Sequence, residues 1–277
     1  MEKPSRVITI AGSSSGGSAG IQADLKTFQE LDVYGMSVVT AIVARHPHTN
    51  QNVHPQTLEA IEAQFATASR QIGIDCIKIG MLFSKDVIHK VVSLIKNTTV
   101  STIVVDPVMV GKLDSKLLED DAIDELKTKL LPMSTIITPN MPEASFLLDG
   151  RSIKSVDDMI QAAIDLHELG PSYVLVKGGR LDGPAIDVLY DGENLTTFEA
   201  PRIQTDNTSG AGCTYSAAIA AEVAKGKSIV DAVYHAKKFV TASIAYGFSY
   251  TEMVGPTYLA ALRNKKMPYK IKINTIF

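Results

Sequence analysis

Short runs of β-branched and other apolar residues alternate with longer segments of helical periodicity from the N-terminus to about residue 177. Strands that are apolar almost throughout are typical of a parallel sheet covered by helices on both faces. The predicted strand and helix segments are Arg6–Ala11 with Ile21–Glu30, Met36–Ala44 with Thr57–Ile72, Cys76–Ile79 with Lys85–Lys96, Thr102–Val105 with Leu117–Leu130, Ser134–Thr138 with Pro142–Leu148 and Val156–Leu169, and a last strand over Tyr173–Val176. The pattern predicts an α/β fold with a central, mostly parallel sheet, whose functional loops follow the carboxyl ends of the strands.

The remaining third of the chain departs from this alternation. Ala185–Tyr190 and Leu195–Glu199 flank Asp191-Gly192 and predict a small β-hairpin, and two helices are predicted over Cys213–Lys225 and Ser228–Tyr246. The basic stretch from Lys265 to Lys272 is predicted to be a solvated chain end. Since no repeat, low-complexity tract or linker divides the chain, residues 1–277 are expected to form a single domain.

Composition narrows the classes of partner. With 45% hydrophobic residues, 21% charged residues and a net charge of −3, the chain lacks the basic excess that nucleic acid or anionic membranes favour. It has no apolar stretch of membrane-spanning length and no signal-peptide layout, and Cys76 and Cys213 are too few for a disulfide framework. We therefore expect a cytoplasmic protein that acts on small molecules and binds neither nucleic acid nor membrane.

A glycine-rich junction precedes the first of the two C-terminal helices. The segment from Asp206 to Thr214 includes Gly210 and Gly212, which allow backbone N–H groups to point in one direction at the helix start. Together with the helix dipole, such N–H groups stabilise a phosphate or an oxyanion. The segment predicts an anion hole, and the simpler alternative is a helix start capped by Thr208 or Ser209.

Polar residues follow several of the predicted strands. Asp106, Asn140 and Glu143 offer hard oxygen ligands of the kind that Mg²⁺ prefers. Lys177 and Gly178-Gly179 lie at a neighbouring strand end and suit a nucleotide phosphate. Each of these segments alone is compatible with an ordinary turn. Together they indicate a phosphoryl-transfer site, although the chain has no Walker A loop.

These motifs together resemble those of the ribokinase-fold vitamin kinases. The resemblance covers nearly the whole chain and is carried, in the order of the family, by Ala11–Thr27, Asp106–Val110, Thr138–Asn140, Lys177–Gly179 and Gly210–Thr214. Within that family the chain is most similar to the branch that contains hydroxymethylpyrimidine/phosphomethylpyrimidine kinases and the related bacterial pyridoxal kinases. The resemblance implies a ribokinase-like fold, ATP and Mg²⁺ as cofactors with a monovalent cation as an optional addition, and a homodimer.

The resemblance also assigns roles to individual residues. The implied catalytic residues are Cys213, Gly210, Ala211, Gly212 and Asp106; the implied ATP-binding residues are Asn140, Lys177, Gly178, Gly179 and Gly212; the implied metal ligands are Asp106 and Glu143; and the implied substrate-binding residues are Gly12, Ser14, Ala19, Met81 and Ser209. The chain departs from the family at Ser14, where an aspartate is usual, and at Ser209, where a histidine is usual.

Cys213 occupies the position at which many ribokinase-fold enzymes carry an aspartate as general base. A thiol at a helix N-terminus is expected to have a lowered pKa, so its thiolate could accept the proton of a substrate hydroxyl or add reversibly to an aldehyde. The alternative is an inert, buried cysteine.

The segments Val188–Gly192, Met253–Thr257 and Ala44-Arg45 resemble the pyridoxal branch more than the pyrimidine branch. The resemblance therefore implies ATP-dependent phosphorylation of the hydroxymethyl group of pyridoxal, pyridoxine or pyridoxamine, and a hydroxymethylpyrimidine kinase is the alternative. His46-Pro47-His48 is predicted to belong to a mobile flap over the pocket.

Two hypotheses lie outside the kinases. Gly12–Gly16 matches the G-x-S-x-G pattern of a hydrolase with Ser14 as nucleophile, although the motif follows the first strand rather than several strands. A non-catalytic nucleotide or vitamin binder would account for the departures at Ser14 and Ser209.

Overall fold

The computed structural model describes residues 3–44, 48, 52–109, 117–265 and 269–276. The strands are β1 (Arg6–Ser14), β2 (Tyr34–Val43), β3 (Val53–Pro55), β4 (Cys76–Ile79), β5 (Ile103–Val105), β6 (Ile136–Ile137), β7 (Tyr173–Lys177), β8 (Ala185–Tyr190), β9 (Leu195–Ala200) and β10 (Lys272–Ile276). The helices are α1 (Ile21–Glu30), α2 (Leu58–Gln71), α3 (Lys85–Lys96), an irregular segment α4 (120–133), α5 (Met141–Leu147), α6 (Val156–His167), α7 (Ala211–Ala224), α8 (Ile229–Ala245) and the short α9 (Ala261–Asn264).

All of these strands form one sheet in the order β10-β9-β8-β7-β6-β5-β4-β1-β2-β3. The strands from β2 across to β7 pair in parallel, whereas β3 at one edge and β8, β9 and β10 at the other pair antiparallel. The predicted central, mostly parallel sheet and the hairpin of β8 and β9 are therefore confirmed. The chain leaves β1 towards β2 on one side and returns to β4 on the other, so the ends of β1 and β4 flank a topological switch point, where α/β proteins bind ligands.

Helices cover both faces of the sheet. Apolar side chains of α2, α3, α5 and α6 pack on one face, and those of α1, α7 and α8 pack on the other. Helix α7 is rich in buried alanine, and these small side chains allow its backbone to approach the sheet closely. The prediction of helices on both faces is confirmed. Among the described residues, no helix combines the length and the apolar character needed to cross a membrane.

The way in which the helices begin separates those of the scaffold from those near the switch point. Serine, threonine or asparagine side chains accept a hydrogen bond from the first turn of α2, α3, α5, α6 and α8. Helices α1 and α7 instead have Gly20 and Gly210 at their N-cap positions, both with positive φ and without a side-chain cap. Their first N–H groups are consequently not occupied by a cap of their own.

Three segments differ from the sequence-based expectation. The helix predicted over Leu117–Leu130 begins only at residue 120, because Leu118 pairs with Phe83 in an extended bridge. The segment that follows the predicted solvated stretch forms β10, which was not predicted; it pairs with β9 and joins Lys272 Nζ to Glu199 Oε1 at 2.7 Å. The short edge strand β3 was not predicted, and its length of 3 residues gives little periodicity to detect.

Candidate active site

Two cavities lie on either side of the N-terminus of α7. The smaller, of about 270 Å³, lies over the ends of β1 and β4 and includes Gly210 and Cys213 in its wall. The larger, of about 500 Å³, lies between the ends of β7 and β8, α7 and α8, and includes Ala211 and Gly212. The glycine-rich turn therefore separates two compartments, and the four residues predicted to form the anion hole divide between them.

The turn depends on a residue without a side chain. Gly210 has a φ of 82°, and a Cβ atom there would overlap the carbonyl oxygen of Ser18. The N–H groups of Gly212 and Cys213 have no acceptor among the described residues, as expected for a first helical turn without a cap. The alternative that Thr208 or Ser209 caps α7 is wrong, because the N-cap position belongs to Gly210. The geometry is that of an anion-binding helix start.

The loop after β1 is attached to this turn. The hydroxyl groups of Ser18 and Ser209 lie 3.0 Å apart, and the N–H group of Gly20 donates to Cys213 Sγ at 3.4 Å. The backbone N–H of Ser209 also donates to the carbonyl of Gly255 at 3.0 Å. Ser209, which replaces the usual histidine of the family, thus connects the loop after β1 to the glycine turn.

The smaller cavity contains every residue predicted to bind the substrate. Its wall includes Gly12, Ser14, Ala19, Met81 and Ser209 together with Val43, Val108 and Leu117. A Cβ atom on Gly12 would lie 2.9 Å from Met81 Sδ, so only glycine fits beside that methionine without a shift. The apolar wall with a few hydroxyl groups suits a flat ring that carries polar substituents.

Asp106 and Lys177 form a buried ion pair beside the glycine turn. Lys177 Nζ donates to Asp106 Oδ1 at 2.7 Å, and the hydroxyl groups of Thr138 and Ser216 donate to the same carboxylate at 3.0 and 3.4 Å. Although burial disfavours its charge, Asp106 has a pKa below the ordinary value because Lys177 and Lys78 stabilise the carboxylate. Asp106 is therefore ionised at neutral pH.

Asn140 and Glu143 form the capping box of α5. Asn140 Oδ1 accepts from the Glu143 N–H at 3.0 Å, and Glu143 Oε2 accepts from the Asn140 N–H at 2.8 Å. Burial raises the pKa of Glu143 to about 7, and the nearby Asp106 adds to the effect. Both residues thus have a structural role that the sequence-based interpretation missed, although the Asn-x-x-Glu spacing is a capping signal.

The two glycines after β7 have different environments. Gly179 lies in the wall of the larger cavity together with Lys177 and Asn140. Gly178 does not, and a Cβ atom on it would overlap the carbonyl oxygen of Ile186. Its N–H donates to Asp187 Oδ1 at 3.0 Å, which fixes the backbone next to Lys177. Gly178 therefore shapes the strand end.

The sequence did not reveal two buried ion pairs that lie against the cavities. Asp187 accepts from Lys237 at 2.6 Å beside the larger cavity, and Asp24 accepts from Lys78 at 2.9 Å below the smaller one. The sequence offered one signal for the second of these pairs: β4 reads Cys-Ile-Lys-Ile, which places a lysine inside an otherwise apolar strand.

The predicted metal ligands are two carboxylates. Among the described residues, no group of three or more His, Cys, Asp or Glu side chains could hold a metal ion. Asp106 and Glu143 provide two carboxylates, and that set fits Mg²⁺, which commonly uses one or two carboxylates together with phosphate oxygens and water.

The expected lowering of the Cys213 pKa is wrong. Burial disfavours the thiolate more than Lys78 and the N–H of Gly20 favour it, and the pKa of Cys213 is raised to about 11. Cys213 is the third residue of α7 and lies, half-buried, in the wall of the smaller cavity. At neutral pH the side chain is therefore a thiol.

This raised pKa predicts the alkylation profile of Cys213. In a Cys76→Ala variant, which retains Cys213 as its one cysteine, the rate of reaction with iodoacetamide should rise roughly tenfold per pH unit between about pH 7 and pH 10, because the thiolate fraction rises in that proportion. The measurement is the rate of mass increase of the intact protein. A rate that stops rising by about pH 8 and stays constant at higher pH would show an activated thiolate instead.

The remaining predictions concern Ser14 as a hydrolase nucleophile and the histidine-containing flap. Ser14 ends β1, its N–H donates to Gln22 Oε1 at 2.9 Å, and its φ is not positive, so it lacks the strained turn of a hydrolase nucleophile. No hydrogen bond joins it to a histidine among the described residues. For the predicted flap, His48 is exposed in a turn, whereas His46 lies outside the described residues, as do Arg45 and Val110 of the family motifs.

The phosphomethylpyrimidine kinase family model matches residues 14–258. The chain is 47% identical over 262 residues to pyridoxine kinase of Bacillus subtilis, covering 93% of this chain and 97% of that protein. It is 42% identical over 262 residues to the hydroxymethylpyrimidine/phosphomethylpyrimidine kinase of the same organism, covering 94% and 96%.

Solved structures of pyridoxal kinases also match this chain. An ADP complex of Bacillus subtilis pyridoxal kinase matches with a TM-score of 0.89 and 47% identity, covering 95% of this chain and 100% of that chain. Pyridoxal kinase from Staphylococcus aureus in complex with AMP-PCP and pyridoxal matches with a TM-score of 0.91 and 36% identity, covering 99% and 100%. The predicted resemblance and the ribokinase-like fold are confirmed.

Proposed function

Because this chain belongs to the phosphomethylpyrimidine kinase family, we propose that it transfers the γ-phosphoryl group of ATP to the hydroxymethyl group of pyridoxal, pyridoxine or pyridoxamine. The observation that carries this proposal is the position of the glycine turn at the start of α7, between a 270 Å³ cavity and a 500 Å³ cavity. The relatives with similar sequences and structures include a pyridoxine kinase and pyridoxal kinases.

The two compartments suit the two substrates. The smaller cavity would take the vitamin ring between Gly12, Ala19 and Met81, with its hydroxymethyl group directed towards Cys213. The larger cavity would take the nucleotide, with its phosphates directed towards Lys177 and Gly212. Holding both reactants at one turn makes the transfer effectively intramolecular.

The chain's own groups would stabilise the charge of the transferring phosphoryl group. The unpaired N–H groups of Gly212 and Cys213 are fixed before the reaction, and Lys177 lies next to them: a Cβ atom on Gly212 would be 3.5 Å from its Nζ. Preorganised donors of this kind are the main source of catalysis in phosphoryl transfer. Asp106 and Glu143 would hold Mg²⁺, which neutralises phosphate charge when bound.

Cys213 contributes as a neutral thiol in this scheme. Since its pKa is raised to about 11, it is a poor general base at neutral pH. Phosphoryl transfer through a loose transition state needs little deprotonation of the attacking hydroxyl before the transfer, and its proton would pass to a non-bridging oxygen of the transferred phosphoryl group as the new P–O bond forms and the bond to ADP breaks. We therefore assign Cys213 to the anion hole through its N–H and to the acceptor cavity through its side chain.

A hydroxymethylpyrimidine kinase is the second candidate. It is favoured by the family match over residues 14–258 and by the 42% identity to such an enzyme. A catalytically inactive binder is the third, and it is motivated by Ser14 and Ser209.

We also propose a single domain over residues 1–277, a homodimer and a cytoplasmic location. The single sheet through the described strands supports the first of these. The homodimer rests on the resemblance to the family alone. Cys76 and Cys213 are both free thiols, which is typical of a reducing compartment and supports the third.

The proposed function is tested by comparing acceptors under one set of conditions. Acceptor-dependent ADP release should be measured with pyridoxal, pyridoxine, pyridoxamine, hydroxymethylpyrimidine and its monophosphate, with kcat/KM obtained for each. We expect the three pyridine vitamers to have the highest values. Higher values for the pyrimidines would support the second candidate, and tight binding of a vitamer without ADP release would support the third.

A further inference from the structure

Arg202 makes three hydrogen bonds to one loop, and the transfer scheme above gives it no role. Its Nε donates to the carbonyl of Gly183 at 3.0 Å, one terminal nitrogen donates to the carbonyl of Gly179 at 2.5 Å, and the other donates to the carbonyl of Leu181. All three acceptors belong to the segment 178–184, which connects β7 to β8 and is called the β7–β8 loop below. One side chain therefore fastens this loop at three points.

The position of Arg202 follows from the sheet. The pairing of β7 with β8 ends at Lys177 and Asp187, whereas the pairing of β8 with β9 continues to Ala185 and Ala200. Arg202 comes two residues after the end of β9, so it lies beside the chain that leads into β8. The loop has left the sheet here, and three of its carbonyls accept from a side chain instead of a neighbouring strand.

The β7–β8 loop is rich in glycine. It contains Gly178, Gly179 and Gly183, and the last of these has a φ of 79°. The N–H of Leu181 donates to the carbonyl of Gly178 at 3.0 Å and closes a turn, and the Leu181 side chain packs against the core. Glycine loses more conformational freedom than other residues when it is ordered. The hydrogen bonds from Arg202 therefore oppose a large entropy cost.

The loop forms part of the wall of the larger cavity. Gly179, Arg180 and Arg202 line that cavity together with Lys177, the last residue of β7. Since the loop begins at the residue after Lys177, its conformation determines the shape of the cavity on the side where the nucleotide phosphates are proposed to lie. The hydrogen bonds of Arg202 thus act on a surface that the nucleotide would contact.

The shape of the guanidinium group matters here as well as its charge. Its N–H donors are arranged in a planar fork, which allows Arg202 to reach three carbonyls at once. A lysine ammonium group is a compact charge at the end of a flexible stem. Lysine at this position would keep the positive charge and lose the simultaneous contacts, so it separates the two properties.

We propose that Arg202 is a positioning residue for the nucleotide, and that it holds the β7–β8 loop in the conformation that forms one wall of the ATP cavity. This role rests on the proposed function, since it requires that the larger cavity takes ATP. Without the hydrogen bonds from Arg202 the loop is open in most molecules, and the apparent affinity for nucleotide falls to the fraction of molecules that remain closed. The acceptor cavity lies on the other side of the glycine turn and does not include the loop.

Kinetics of Arg202→Lys test this role. The KM for ATP should rise about tenfold, with kcat at saturating ATP and the KM for pyridoxine within about twofold of wild type. The matched control is Arg263→Lys, because Arg263 donates to Glu30 at 2.8 and 2.9 Å and lies outside both cavities. The control should leave all three constants within about twofold. An unchanged KM for ATP in Arg202→Lys would overturn the proposal.

Trypsin provides a readout that does not depend on turnover. Arg180 is exposed in the loop, and cleavage after it requires the loop to open, so the cleavage rate follows the open population. Arg202→Lys should be cleaved after Arg180 about tenfold faster than wild type or more, and Arg263→Lys at the wild-type rate. A raised KM for ATP without faster cleavage would show that Arg202 acts through its charge alone, which would overturn the positioning role.

Wild-type protein alone gives a further check. Bound ADP should slow cleavage after Arg180, because the nucleotide contacts the loop in its closed conformation. Equal cleavage with and without ADP would overturn the proposal even if Arg202→Lys did not fold. Failure of the proposed function would be distinguishable, since ADP release would be absent with every acceptor while ADP protection and the faster cleavage of Arg202→Lys persisted.

Discussion

Replacing Gly210 with alanine is expected to lower kcat for phosphoryl transfer by about 10²- to 10³-fold, the cost of losing a preorganised donor. Gly210 has a φ of 82°, and its Cα lies so close to the carbonyl oxygen of Ser18 that a methyl group would overlap it. The turn would have to move away from the loop after β1, and the N–H groups of Gly212 and Cys213 would move with it. Steady-state kinetics with saturating MgATP and acceptor measure the effect.

Gly226 provides the matched control at the other end of α7. It has a φ of 87°, and a Cβ atom there would meet nothing within 4 Å. Gly226→Ala therefore imposes the same backbone strain, about 1 kcal/mol, without the overlap. We expect it to lower the melting temperature slightly and to leave kcat within about twofold. Equal activity of Gly210→Ala and Gly226→Ala would show that the turn does not act as an anion hole.

Exchanging Asp106 for asparagine should lower kcat by about 10²-fold or more, because it removes a buried charge next to Lys177 at the proposed phosphate and metal site. The amide keeps the size of the side chain and can still accept from Thr138. The amide cannot neutralise the positive charge of Lys177, whose Nζ lies 2.7 Å from the carboxylate in the wild-type protein. The measurement is kcat as a function of Mg²⁺ concentration, with an increased Mg²⁺ requirement as the diagnostic result.

The control for that substitution is Asp75→Asn. Asp75 also forms an ion pair, with Arg6, but the pair is partly exposed and lies outside both cavities. A surface pair contributes about 0 to 1 kcal/mol to stability, and we expect activity within about twofold of wild type. If Asp106→Asn also retained full activity and the same Mg²⁺ dependence, Asp106 would have no part in the reaction.

The sequence was sufficient to predict the parts of the fold in which apolar residues recur with a regular period. Apart from β3 and the start of α4, the apolar strands and amphipathic helices from β1 to β7 were predicted, because burial on both faces of a sheet leaves nearly continuous apolar runs. The tail strand β10 was missed since all of its residues are exposed and the basic run that leads into it suggested a solvated end. Its place is determined by pairing with β9, which is a long-range property that local sequence does not contain.

The geometry of the glycine turn at the start of α7 could be predicted from the sequence, because it depends on residue type. Gly210 and Gly212 are needed for a turn whose requirements can be read from residue type. The raised pKa of Cys213 could not be predicted in this way, because it depends on how much water the folded chain removes from the thiol. The same holds for the buried ion pair of Lys78 and Asp24, because its two members lie 54 positions apart in sequence.

The most direct test of the account is phosphorus NMR of wild-type protein incubated with MgATP and pyridoxine. The γ-phosphate signal should be replaced by a new phosphomonoester signal coupled to the protons of the hydroxymethyl group, in equal amount to the ADP formed. The Gly210→Ala variant should give almost none of it. Release of the phosphate as inorganic phosphate, or no loss of the γ-phosphate signal, would contradict the claim that the turn at the start of α7 transfers a phosphoryl group between the two cavities.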